Sequence, residues 1–233
     1  NVAFDVYYWP TAGYESVSVE ILTNDVVIEG TVEYASDGTG DFEAKAALII
    51  PLGYELDAPT GYEWVGQDGK QVLKAMTHVA KIGEIKYDTL KEAVAAVKSG
   101  ETINLVTDTS GDGIQVPSET NFTLDLGGFT YTVNGQLVGS TGTESQGFQL
   151  LKGSNITIKN GGLTTTNAKM LIQNYSNLTL DNVDLNGAEM TEYVLSNNNG
   201  ATTLKNGTKI TAVGDNVAFD VYYWPTAGYE SVS

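Results

Sequence analysis

SNITIKNGGLTTT (154–166) and SNLTLDNVDLNGA (176–188) decide the fold. Both open on Ser-Asn, alternate apolar and polar residues over a short strand, and break at an Asn or Gly. GATTLKNGTKITAV (200–213) repeats the pattern, and TNFTLDLGGFTYTV (120–133) follows it more loosely. The starts at Ser154, Ser176 and Gly200 lie 22 and 24 residues apart. Repeats of this length, holding short strands separated by turns, match the rungs of a parallel β-solenoid. Side chains in a strand face opposite ways in turn, so Ile156, Ile158, Leu178, Leu180 and Leu204 are expected to point inward. Asn160, Asn182 and Asn206 fall at one place in three successive rungs. Their stacked amides are expected to hydrogen-bond as a ladder along the stack.

Outward from these rungs, residues 88–100 carry the signals of one helix. Thr89 and Glu92 form a capping box, Leu90, Ala93, Val94 and Val97 make an apolar stripe, and Gly100 stands where a left-handed stop belongs. A helix there would cover the open edge of a solenoid. Residues 41–78 read as a small irregular hairpin element, with Pro51, Pro59 and a turn at Asp68-Gly69.

A longer repeat frames the shorter one. NVAFDVYYWPTAGYESVS occupies residues 1–18 and, without a mismatch, residues 216–233, an offset of 215 residues. An old duplication would have gathered substitutions. The reading preferred over an artificial duplication is a register cut from an array of nearly identical 215-residue units, as in fibres and surface stalks. A natural unit is expected to begin near His78, itself an exposed linker residue. The expected organisation is 1–40, closing rungs of one unit; 41–78, the linker; and 79–233, the capping helix and first rungs of the next. With no initiating Met and no leader, the chain reads as internal to a longer protein.

Composition narrows the function. The net charge is −17, from 29 acidic residues against 12 basic ones, and every basic residue is Lys. Phosphate affinity rests on Lys and Arg, so nucleic acid is an unexpected partner, and anionic surfaces would be repelled. There is no Cys, hence no disulfide framework. No apolar run is long enough to span a bilayer, so no membrane insertion is expected.

VAKIGEIKYDTLKEAVAAVKSGETINLVTD (79–108) and IQVPSETNFTLDLGGFTYTV (114–133) resemble the opening of the pectate-lyase-like β-helix repeats of secreted prokaryotic surface proteins. PLGYELDAPTGYEWVGQDGKQVLKA (51–75) is similar to the closing segment of such repeats. The resemblance implies an extracellular, adhesin-like protein. Pattern and resemblance together give a mainly β chain: a right-handed parallel β-helix with one short capping α-helix and a small irregular β linker element.

Candidate sites are few. The family's lyases combine acidic calcium ligands with a basic residue, commonly Arg, and this chain has none to supply. Lys159 and Lys205 are spaced as ordinary exposed positions, and Asp125, Asp181 and Asp184 as turn and outer-face residues, so no enzyme is expected. Asp108, Ser110, Asp112 and Glu119 have the spacing of a calcium loop, though no helix follows. In NVAFDVYYWP, Val2, Phe4, Val6 and Tyr8 share one face, while Tyr7 and Trp9 share the other with Asp5. Tyr7 and Trp9, and their copies Tyr222 and Trp224, would stack on sugar or fill a protein interface, or pack on Tyr54, Tyr62 and Trp64. Five Asn-x-Ser/Thr sequons occur, at Asn121, Asn155, Asn174, Asn177 and Asn206. The functional expectation is a structural module of an extracellular fibre, joined to copies of itself, with carbohydrate binding as the alternative.

Overall fold

A computed structural model describes residues 2–9, 16–36, 45–59, 61–225 and 231–233. Residues 41–44 of the expected linker, and residues 10–15 and 226–230 of the duplicated segment, lie outside them. The chain divides into two compact units, Asn1–Thr77 and His78–Ser233, so residues 1–40 and 41–77 share one unit.

The first unit holds β1 (Val2–Tyr8), β2 (Val17–Glu20), β3 (Thr31–Ser36), β4 (Ala46–Pro51), β5 (Tyr62–Gln67) and β6 (Lys70–Ala75). β1 pairs β3 in parallel and β2 pairs β4 in parallel, whereas β6 runs antiparallel to both β4 and β5. Asp68 and Gly69 both have positive φ, the geometry that a two-residue turn between twisted strands demands, and join β5 to β6. Val6, Val32, Tyr34, Leu48 and Leu73 form the core of this unit. The Tyr34 hydroxyl donates to the Ala46 carbonyl at 2.8 Å, which satisfies a buried polar group.

The second unit opens with β7 (Ala80–Ile82) and β8 (Ile85–Tyr87), then α1 (Leu90–Ala96) and β9 (Thr102–Leu105). Both halves of the capping box are present on α1, which buries Leu90, Ala93 and Val94. The helix stops at an extended Val97, earlier than the glycine suggested, and Gly100 takes positive φ in the turn beyond. The strands that follow are β10 (Thr109–Gly111), β11 (Ile114–Val116), β12 (Asn121–Asp125), β13 (Thr130–Val133), β14 (Gln146–Leu150), β15 (Asn155–Thr165), β16 (Met170–Asn174), β17 (Asn177–Asn186), β18 (Tyr193–Asn198), β19 (Ala201–Lys205), β20 (Lys209–Thr211) and β21 (Val217–Tyr222).

These strands form two sheets. One runs β11-β14-β16-β18-β21, parallel throughout. In the other, β9, β12, β15, β17 and β19 stack in parallel, as do β10, β13, β15, β17 and β20, while β7 runs antiparallel to β8 and β9. The chain is thus mainly β, with mixed sheets.

In-register stacking places like residues in rows. Phe122, Ile156 and Leu178 align, as do Leu124, Ile158, Leu180 and Leu204. From the other sheet come Ile114, Phe148, Ile172 and Leu195, and Tyr131 meets Phe148 edge-on at 5.9 Å between the two sheets. Each fully buried leucine in such rows contributes about 2 kcal/mol of burial. Leu204 departs from expectation: it is 49% exposed. It lies on β19, whose strand neighbour among the described residues is β17 on one side. His78 also departs, being 5% exposed where it leads into β7.

Candidate functional site

The expected calcium loop is not assembled by the fold. Asp108 Oδ1 accepts from the Thr130 N–H at 2.7 Å, and Ser110 sits exposed on β10 opposite Thr132. Asp112 accepts from the Gln136 N–H at 2.9 Å and from the Lys91 ammonium at 2.9 Å. Those two donors hold its carboxyl below the usual carboxylate range, Lys91 contributing most. The Asp112 carbonyl accepts from the Tyr131 hydroxyl at 2.7 Å, and burial, with the Asp112 charge, pushes that phenol up to about 12. Glu119 is exposed, in a left-handed turn whose N–H donates to the Lys152 carbonyl. Among the described residues, no three His, Asp or Glu side chains converge so as to hold a metal ion.

Asn160, Asn182 and Asn206 do align, but for a different reason from the amide ladder expected. All three have positive φ near 50°, a conformation that Asn tolerates better than most residues. They mark the corner at which β15 and β17 bend and at which the equivalent chain breaks between β19 and β20. Asn160 donates to Asp125 at 3.1 Å and Asn206 to Asp181 at 2.6 Å. The Asn160 and Asn206 amides therefore reach a carboxylate on the preceding strand.

The row beside that corner reads Asp125, Lys159, Asp181, Lys205, alternating in sign across four stacked strands. Opposite charges side by side support a sheet, and Lys159 pairs with Asp125 at 3.1 Å. Burial works to raise the Asp125 pKa. Bonds from the Gly127 N–H, Asn160 and Lys159, with the Lys159 charge, outweigh it and hold the carboxyl low.

Amide ladders stand elsewhere. Gln115 donates to Gln149 at 2.6 Å and Gln149 to Gln173 at 2.8 Å. On the other sheet Asn155 donates to Asn121 at 2.9 Å and Asn177 to Asn155 at 3.0 Å. Their signal is legible once found: the same residue recurs from one paired strand to the next, 34 residues and then 24 or 22. A third ladder is buried. Asn174 donates to Asn197 at 2.9 Å and accepts from the N–H and hydroxyl of Ser176, which makes that sequon structural. Asn197 in turn donates to the Gly200 and Ser233 carbonyls at 3.0 and 2.7 Å.

The duplicated segment is the most informative surface. Tyr7 and Trp9 are exposed and meet edge-on at 6.1 Å; Tyr222 and Trp224 are exposed and meet at 5.6 Å. Tyr54, Tyr62 and Trp64, named as alternative packing partners, engage Val26, Tyr34 and Leu56. The first unit also has an open depression of ≈ 1000 Å³ lined by Ile28, Glu33, Tyr54, Asp57 and Trp64 among others.

Among the described residues, no helix is long and apolar enough to cross a membrane. Comparison with protein families, with curated proteins and with solved structures finds no match.

Proposed function

We propose that the chain is a stretch of a tandem array of right-handed parallel β-solenoid modules, serving as an extracellular fibre or cell-surface stalk. One observation carries the reading. A single sequence, repeated after 215 residues, takes the strand place beside β18 in one unit and beside β3 in the other. An array in which every strand has a neighbour on both sides needs that of its repeat. Parallel in-register stacking, amide ladders and an alternating charge row all favour extension along one axis. The functional class proposed is structural: Asp125 and Asp181 are engaged in strand and corner bonds. Calcium remains a ligand to test, given the acidic charge.

A second reading, a glycan- or host-binding adhesin module, draws on the depression beside Trp64 and the exposed Tyr7 and Trp9. Electron microscopy of the purified chain, with and without calcium, separates the two. Rods or filaments of constant width support the fibre. Compact particles that bind on a glycan array, and lose binding in Trp9→Ala, support the adhesin and overturn the fibre.

A further inference from the structure

The two copies of the duplicated segment each display half of one environment. In the first unit, β1 lies against β3 with Val6 aligned to Tyr34 and Phe4 to Val32. Val6 is wholly buried there and Tyr8 nearly so. In the second unit the same strand, as β21, lies on β18, with Phe219 aligned to Leu195 and Val221 to Asn197. Phe219 and Val221 are the copies of Phe4 and Val6, and they are 57% and 55% exposed. The inward row of the second unit thus runs through Phe148, Ile172 and Leu195 to an uncovered Phe219.

The other sheet agrees independently. The Ser233 N–H donates to the Gly200 carbonyl and the Thr202 N–H to the Ser233 carbonyl, a parallel bridge that sets Ser233 opposite Ala201. Its copy, Ser18, is opposite Ala47 on β4. Each copy of the segment therefore has its own neighbours: β3 and β4 for residues 1–18, and β18 and β19 for residues 216–233. Leu204, exposed on β19 beside this place, has its cover explained by the same step.

We propose that the segment 216–233 of one copy of this chain replaces the segment 1–18 of a second copy. Residues 216–233 of the donor take the place of 1–18 beside β3 and β4 of the acceptor. Because donor and displaced strand are identical in sequence, the pairings to β3 and β4 that the acceptor loses are made again. The donor gains a cover over Phe219, Val221 and Leu204. The contact is heterologous and does not close, so it propagates as a filament. The acceptor's own segment is tethered and competes at high effective concentration, which makes the exchange concentration-dependent and slow. This inference rests on the stacked-module reading above.

The chain has no Cys, so introduced thiols report single positions. One chain carries Ala47→Cys and another Ser233→Cys; aligned residues of neighbouring strands are within disulfide reach. Mixed under mild oxidation, they are expected to give an interchain disulfide and a crosslinked species at twice 24.8 kDa. Val6→Asp in the acceptor buries a charge in its own segment only, and is expected to raise the crosslinked fraction on the order of tenfold. Val221→Asp in the donor is expected to abolish it. Should Val6→Asp unfold the acceptor's first unit, a free peptide of the 216–233 sequence is expected to restore it and bind, while the peptide with Val221→Asp is not. Thr157→Cys with Thr179→Cys in one chain tests the stacked module itself, since these residues align on β15 and β17. That intrachain disulfide without any Ala47–Ser233 crosslink overturns the exchange alone. Its failure overturns the module reading.

Discussion

Val6 and Val221 are the same residue of the same eighteen-residue sequence, yet one is wholly buried and the other is 55% exposed. Both sit on parallel strands, and both alternate with a tyrosine facing the other way. Each copy has one strand neighbour among the described residues, β3 for the first and β18 for the second, but Val6 also packs into a core with Val32, Tyr34, Leu48 and Leu73, whereas Val221 has no such cover. Burial in a stacked sheet is thus a property of the neighbour and not of the sequence. The comparison can be broken or sharpened by substitutions that treat the two surroundings alike.

The largest effect is expected inside the stack. Leu180, fully buried between Ile158 and Leu204, should cost about 3 kcal/mol when changed to Ala. Leu204→Ala, the same deletion one strand further on, should cost under about 1 kcal/mol. Urea denaturation of both variants checks this, and equal losses would mean that the edge is covered. Next come the copies themselves: Val6→Ala should destabilise by about 2 kcal/mol and Val221→Ala by less than about 0.5 kcal/mol.

Smaller effects probe the corner. Asn182→Ala should cost about 1 kcal/mol, the strain of a left-handed residue with a Cβ, whereas Asn182→Gly should fall within about 0.5 kcal/mol of the parent. Thermal melting of both variants separates strain from lost hydrogen bonding. The smallest effect is that of pH. The Asp112 and Asp125 carboxyls are lower in the folded chain than in an unfolded one. Their support is therefore present above the ordinary carboxylate range, near pH 4, and is lost as pH falls through their folded values. Asp125→Asn should flatten the acid limb of the stability curve, measured by denaturant midpoints from neutral pH down to pH 3.

The alternation of Ile156, Ile158, Leu178 and Leu180 was readable because these residues lie on strands with a neighbour on either side. The capping box at Thr89 and Glu92 was readable because it is local. Leu204 was not, since its cover depends on a strand that its own segment cannot specify. Asn160, Asn182 and Asn206 were legible as a row but not in their role, because an amide pattern says nothing of φ. The ladders at Gln115, Gln149 and Gln173 were hidden by an uneven spacing, in which the first interval carries a long excursion between β11 and β14. The acidic run from Asp108 to Glu119 had the composition of a cation loop, but Thr130, Gln136 and Lys91 bind its two aspartates one by one.

The most direct test of one strand in two surroundings is the labelling rate of a single thiol at Val6→Cys and at Val221→Cys. At low protein concentration the thiol at 221 should react with a maleimide far faster than the thiol at 6. As concentration rises, its rate should fall toward that of residue 6, because a second copy then covers it. Equal rates at low concentration, or a thiol at 221 that reacts equally fast at every concentration, would contradict the account.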